Sequence, residues 1–182
     1  MYKKYVKRIL DIVLSLILIV LLSPLMLIVA IITFFDLGLP IHNEIREREG
    51  LNKKTFIMYK FRTKKLKVLR VPNQSDFTRV SAVIDKLRLN ELPQLFNVLK
   101  GEMSLVVPRP FIPGDDLPEG EISPKRYMVK PGITGLAQVN GGRGITHQKK
   151  LECDVEYYDS ISFKEDAHIV FKTIANIFKI DR

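Results

Sequence analysis

The chain has 182 residues, 46% of them hydrophobic, with 29 lysines and arginines against 20 acids and a formal net charge of +9. That is enough chain for one sizeable core beside an apolar N-terminal run, and the positive balance points to an anionic partner: lipid headgroups, a phosphorylated substrate or nucleic acid. The single cysteine, Cys153, excludes an internal disulfide and fits a reducing compartment, while His42, His147 and His168 lack zinc-ligand spacing, which argues against a structural metal.

The segment Tyr2 to Arg8 carries Lys3, Lys4, Lys7 and Arg8, and Ile9 to Phe35 is then almost wholly apolar, the pattern of a membrane segment. A cleaved signal peptide has a shorter apolar region and a small-residue exit, so the run is expected to stay as an anchor. Ser23 and Pro24 sit in its middle, where proline removes a helix hydrogen bond and bends the axis. Basic clusters flank both ends. The preferred expectation is therefore a re-entrant helix-break-helix with both ends cytoplasmic; the alternative is a spanning helix that tolerates its proline. The chain divides into an anchor, 1–37, and a cytoplasmic domain, 38–182.

From Gly38 to Thr63 the sequence turns polar and then reads as a strand over Thr55 to Arg62, bounded by Gly50-Leu-Asn52. Lys60, Arg62, Lys64, Lys65, Lys67 and Arg70 follow, interleaved with Tyr59, Phe61, Leu66 and Leu69. Beside a membrane anchor this run suits the anionic lipids of the inner leaflet better than nucleic acid; a solvated face is the plainer reading. Val71 to Thr78 reads as a loop and Arg79 to Leu87 as a short helix.

The stretch Leu89 to Pro110, LNELPQLFNVLKGEMSLVVPRP, sets Leu89, Leu92, Leu95, Phe96 and Leu99 at helical spacing, with Asn90, Glu91, Gln94 and Asn97 on the other side. Asn90 is a good N-cap, Glu91 suits the positive end of a helix, Pro93 is tolerated in the first turn and Gly101 ends the helix. The plain reading of Asn90 and Glu91 is capping. Ile112 to Lys125 reads as a surface loop, in which Asp115 and Asp116 fit a solvated turn better than a cation site. Lys130 to Asn140 predicts a turn into a short strand, and Gly141 to Gly144 would let backbone N–H groups approach a phosphate beside Arg143. Phe163 to Ile180 predicts an amphipathic helix with Ile169, Val170, Ile174, Ile177 and Phe178 on one stripe, packed on the core or resting on a membrane. No Walker-type loop, nucleophile elbow or H-E-x-x-H run is present, and no recognition helix or stacking platform supports nucleic acid.

An anchor with a central Ser-Pro, then YKFRT, LNELPQLFNVLKGEMSLVVPRP and KPGITGLAQVNG, in that order and over nearly the whole chain, resembles the bacterial sugar transferases, small monotopic phosphoglycosyl transferases. The resemblance implies an enzyme on the cytoplasmic face of the bacterial inner membrane. It would move a sugar phosphate from a UDP-sugar to polyprenyl phosphate, releasing UMP, the first step of surface glycan assembly. The fold expected is α/β and mostly helical, with a re-entrant membrane element, few strands and amphipathic interfacial helices. By the same resemblance an Asp-Glu pair supplies a carboxylate nucleophile and helps hold Mg²⁺. Glu91 matches the second acid and a metal ligand, Arg109 the phosphate-binding arginine, and Gln138 and Arg143 the nucleotide-facing region.

Four departures stand out. Asn90 occupies the nucleophile position, and its neutral amide is a poor nucleophile and no anionic ligand. Asp85 stands where an arginine is usual, Val107 where a glycine precedes Pro-Arg-Pro, and Glu102 where an aspartate is usual. An alternative thus stays open: a catalytically silent relative that acts as partner or regulator of an active transferase.

Overall fold

The computed structural model describes residues 1–39, 47–65, 75–111 and 123–178; the side chains of Arg143, Ile177 and Phe178, and the residues Lys67, Arg70, Asp115 and Asp116, lie outside the described part. The described part is mostly helical, as expected. After a π-helical turn at Tyr2–Val6, the apolar run forms one helix, α1 (Lys7–Leu37), with Pro24 inside it. Proline has no N–H to give the carbonyl four residues back, and the Ser23 hydroxyl supplies the missing donor, bonding the Val20 carbonyl at 2.9 Å. The Ser-Pro pair thereby satisfies its own backbone.

Both ends of α1 fasten to the rest of the chain, and its middle does not. At the start, Arg8 donates to the carbonyls of Val98 (2.6 Å) and Leu99 (2.9 Å), and Asp11 accepts from Ser104 Oγ (3.0 Å) and the Leu105 N–H (2.9 Å). At the other end Arg62, 2% exposed, donates to the Leu37 carbonyl and, at 2.7 Å, to the Gly38 carbonyl. An exposed-surface role for Arg62 toward lipid headgroups is thus corrected: its guanidinium caps the orphan carbonyls and the negative end of α1.

Beyond the anchor, β1 (Glu47–Glu49) pairs antiparallel with β2 (Thr55–Ile57), shorter than the strand expected to Arg62. Helix α2 (Arg79–Lys86) is capped by Thr78, whose Oγ1 accepts from the Ser81 N–H at 3.0 Å. A turn at Leu89–Glu91 leads to α3 (Gln94–Lys100), closed by Gly101 in the left-handed region, φ 89°. Strand β3 (Ser104–Val106) pairs in parallel with β4 (Gly132–Thr134), and the strand expected to continue to Asn140 instead becomes one helical turn, α4 (Leu136–Val139). Helix α5 (His147–Ser160), which the sequence reading missed, buries Leu151, Cys153, Asp154 and Tyr157; an acid and a cysteine among its inward positions blur the apolar period.

The core gathers Val106, Val107, Leu136, Ala137, Cys153, Tyr157 and Ile169. Cys153 is a buried apolar residue, as its surroundings require. Helix α6 (Phe163–Phe178) meets this core through Ile169, whereas Val170 and Ile174 of the expected stripe are exposed together with Phe163 and Phe171. The stripe therefore splits into a core side and an outward apolar side.

The end of β3 is held by a glycine with no room for a side chain: a Cβ on Gly132 would lie 2.2 Å from the Val107 carbonyl oxygen and 2.4 Å from its nitrogen. Gly132→Ala should destabilise the fold by at least ~2 kcal/mol, because the obstacle is backbone. Gly144→Ala, with nothing within 4 Å of its Cβ, should stay within ~0.5 kcal/mol of the parent. Thermal unfolding in the same lipid or detergent reads both.

Candidate functional site

Arg88, between α2 and the Leu89–Glu91 turn, adopts a left-handed backbone, φ 59°. A non-glycine residue held there costs ~1 kcal/mol or more, and the reversal folds the end of α2 back over the turn. Asn90 is consequently buried, but it does not cap a helix, which corrects the sequence expectation. The first N–H groups of α3 are already used, Leu95 to the Leu92 carbonyl and Phe96 to the Pro93 carbonyl, both at 3.1 Å, so the turn runs straight into the helix. The Asn90 amide turns instead to α2: Nδ2 donates to Asp85 Oδ1 at 3.1 Å, and Oδ1 is buried without a hydrogen-bond partner.

Glu91, next in the chain, is the centre of the local charge. Its Oε1 accepts from Arg109, from Lys60 at 3.0 Å and from Arg88 at 3.4 Å. Burial pushes the Glu91 carboxyl up, and the Arg109 guanidinium and Lys60 ammonium more than reverse this, holding it down at about 2. Burial likewise lowers Lys60, with Glu91 opposing. The sequence reading assigned Lys60 to a headgroup-facing run; its side chain points inward to this carboxylate instead.

Arg109 reaches Glu91 from the Pro-Arg-Pro corner that follows β3. The corner is fixed from both sides. Val107 N–H donates to the Thr134 carbonyl and Gly132 N–H to the Pro108 carbonyl, each at 2.8 Å, and Arg126 donates to the Arg109 carbonyl. Arg126 is itself buried, paired with Asp154 of α5, and its guanidinium carbon sits over the Phe111 ring, 3.5 Å from the ring centre. Arg126 and Asp154 were not singled out by the sequence, since only the fold brings residues 109, 126 and 154 together.

These groups border a cavity of about 370 Å³. Five cations face it, Lys60, Arg88, Arg109, Arg126 and Lys150, against three carboxylates, Asp85, Glu91 and Asp154. Gln138 lines it too, its amide oxygen and nitrogen both buried without a partner, which fits a ligand-facing group. Arg143 lies in the turn Gly142–Gly144, and Gly142 borders the cavity; the Arg143 side chain is outside the described residues. Of the expected site residues, Asn90, Glu91 and Arg109 are thus brought together and Gln138 joins them. Ser23 and Pro24 are elsewhere, in the exposed middle of α1.

Among the described residues no three His, Cys, Asp or Glu side chains gather as a metal site. Mg²⁺ commonly takes only one or two carboxylates and completes its shell with substrate phosphates and water. The orphaned Asn90 Oδ1 and the neighbouring Asp85 and Glu91 carboxylates are compatible with such a partial set, although Glu91 Oε1 already serves three cations.

The sequence matches the family model described as bacterial sugar transferase over residues 2–180. It is 39% identical over 176 residues to the uncharacterized sugar transferase EpsL of Bacillus subtilis, covering 94% of this chain and 86% of that protein. It is 39% identical over 186 residues to the undecaprenyl-phosphate glucose phosphotransferase of Komagataeibacter xylinus, covering 92% of this chain and 35% of that one. Against the UDP-glucose:undecaprenyl-phosphate glucose-1-phosphate transferase of Escherichia coli the identity is 36% over 187 residues, covering 94% of this chain and 40% of that one. The chain thus spans most of the Bacillus protein and less than half of the other two.

The Glu91 cluster gives a pH-dependent prediction. A carboxyl lowered from 4.5 to about 2 contributes stability that is complete above its unfolded value and lost as pH falls through the folded one. Glu91→Gln should therefore cost ~2–4 kcal/mol at pH 7, where buried cations lose their partner, and the gap to the parent should narrow between pH 4.5 and about 2. Denaturant melts of both proteins at pH 7 and pH 3 measure it; an equal gap at both would reject the charge cluster as its cause.

Proposed function

The chain belongs to the bacterial sugar transferase family, and from that premise we propose that it is a membrane-bound phosphoglycosyl transferase. It moves a sugar phosphate from a UDP-sugar to polyprenyl phosphate with release of UMP. The observation that carries the reading is the position of the cationic cavity at the foot of the apolar helix. The Phe61 N–H donates to the Asn90 carbonyl at 2.9 Å, and the adjacent Arg62 holds the last carbonyls of α1. Site and membrane element are one residue apart, as a reaction between a water-soluble nucleotide sugar and a lipid-borne phosphate requires. The silent-relative alternative gains nothing from the relatives, which are named as transferases.

Anchor geometry supports a monotopic placement, and the basic residues flanking the apolar run support the cytoplasmic face. A straight helix of the length of α1 would hold its ends ~46 Å apart. Its start holds the Val98 and Leu99 carbonyls near the end of α3, and its end is held by Arg62, whose neighbour Phe61 donates to the Asn90 carbonyl just before α3, a helix whose rise is only ~10 Å. That favours a helix that enters the bilayer, bends at Pro24 and returns.

In this mechanism the diphosphate of the UDP-sugar sits against Arg109, Arg88 and Lys60, whose charges offset those of the two phosphates and of the departing UMP. Arg109 is the positioned member: the Gly132 contact and Arg126 fix its backbone, and Glu91 holds its guanidinium toward the cavity. Gln138 offers an amide to the nucleotide or sugar. Mg²⁺, held by Asp85, Glu91 and Asn90 Oδ1 together with substrate oxygens, would neutralise phosphate charge when bound.

Purified into lipid nanodiscs with polyprenyl phosphate, Mg²⁺ and a panel of UDP-sugars, the protein should release UMP. Arg109→Ala should lower kcat/KM by on the order of 100-fold, and Arg109→Lys should recover only part of it, because a point charge does not replace the planar fork. Cysteines placed singly at positions 4 and 39 should label from the same side of sealed vesicles; labelling from opposite sides would reject the re-entrant anchor.

A further inference from the structure

We propose that Asn97 is the positioning residue for Lys60: its side-chain amide stands in for a missing strand partner and holds the segment after β2 so that the Lys60 ammonium meets Glu91 and the substrate diphosphate. What Lys60 does there rests on the phosphoglycosyl transferase reading; the new part is what puts it there.

Strand β2 pairs with β1 only as far as Ile57, and residues 58–60 belong to no helix or strand. Their backbone groups need partners from elsewhere. Asn97, in the middle of α3 and fully buried, supplies them. Its Oδ1 accepts from the Tyr59 N–H at 2.9 Å, and its Nδ2 donates to the Ile57 carbonyl at 2.8 Å. A residue of a parallel strand makes this same pair of bonds, to the carbonyl before and the N–H after the residue it faces. A carboxylate in that place could accept but not donate. The other Nδ2 proton goes to Glu102 Oε2 at 2.6 Å, so both amide protons are used and the direction in which the amide faces is fixed.

On the other side of Lys60, the Phe61 N–H donates to the Asn90 carbonyl at 2.9 Å. The backbone before and after the lysine is thus pinned to one continuous stretch, Asn90 to Asn97, and only the side-chain torsions of Lys60 are left to choose. Tyr59 turns out to Lys100, its hydroxyl accepting from that ammonium, while Lys60 turns in, its side chain 15% exposed, and reaches Glu91 at 3.0 Å. Asn97 does not border the cavity, so its influence on the reaction passes through the lysine. A charge misplaced by about 1 Å at a reacting phosphate can cost on the order of 100-fold in rate, which is why a buried amide two residues from any substrate contact matters here.

The test uses the full chain in nanodiscs and has one arm that needs no turnover. Under an amine-acylating reagent, Lys60 should label on the order of tenfold faster in Asn97→Ala than in the parent, because the segment that carries it is released from α3. Lys7, buried against Asp166, should stay slow in both, whereas a loosening of the whole fold would speed the two lysines together. In the second arm, Asn97→Ala should lower kcat/KM for UMP release by on the order of tenfold in the parent, and by less than ~2-fold in a Lys60→Met background, where the lysine it places is gone.

Glu102→Ala takes away one acceptor of the amide and leaves the Ile57 and Tyr59 bonds in place, so it should move both readouts in the same direction by less. Glu102→Gln, which keeps an acceptor, should recover most of that change, and this pair carries the test if Asn97→Ala does not fold. Lys60 labelling that matches the parent in whichever of Asn97→Ala and Glu102→Ala folds, or an equal loss of kcat/KM with and without Lys60, would overturn the assignment while leaving the transferase reading intact. No UMP release by the parent with any UDP-sugar would remove that reading, and with it the purpose assigned to Asn97, even where Lys60 labels faster.

Discussion

One carboxylate oxygen ties the site together. Glu91 Oε1 receives a lysine from the segment after β2, an arginine from the reversal after α2 and another from the Pro-Arg-Pro corner after β3. Burying an acid costs several kcal/mol of hydration, and a single partner often fails to recover it. Here the carboxyl is held well below its ordinary range, so the cations outweigh the burial. The cluster works in both directions. Without Glu91, three positive groups would be pressed together around one cavity; without those groups, a buried acid would be uncompensated.

That arrangement explains which parts of the site could be read from the sequence. Features written in a few adjacent residues were legible: the apolar run, the Gly101 stop and the rigid corner that presents Arg109; that Glu91 and Arg109, eighteen residues apart, share a site came only from the family resemblance. Features made by distant residues were not. Lys60 and Arg62 look like surface cations in a basic run, yet one closes the Glu91 cluster and the other caps α1, because each meets a buried partner more than twenty residues away. Asn90 reads as an N-cap because nothing local reveals that the preceding turn already supplies α3 with acceptors. Helix α5 hid for a related reason: Asp154 and Cys153 face inward, and only the ion pair with Arg126 makes an inward acid tolerable.

The net charge of +9 consequently overstates what is offered to a partner. Arg8, Arg62 and Arg126 spend donors on backbone carbonyls, and Lys7 is buried against Asp166 and the Val106 carbonyl. Arginines suit that task because their planar fork can serve two acceptors at once. Each of the three joins a helix end or a strand corner to a distant element, so much of the positive charge here is structural adhesive. The cations facing the cavity are the more selective part of the balance.

The outward apolar side of α6 completes the placement of that cavity. Phe163, Val170 and Ile174 stand seven and eleven residues apart, a spacing that puts them on one face, and all three are exposed. Phe163 packs edge-on against Tyr2, with ring centres 6.3 Å apart, and the Tyr2 hydroxyl bonds Asp166 at 2.5 Å, so the start of α6 is fastened to the start of the anchor. An apolar helix face that begins where the long apolar helix begins extends one exposed apolar surface from α1 to α6. With α1 held at both ends and α6 held at its first turn, the two apolar surfaces are fixed relative to one another. The same fastenings that build its core thus also fix the outward apolar side of α6 relative to the start of α1.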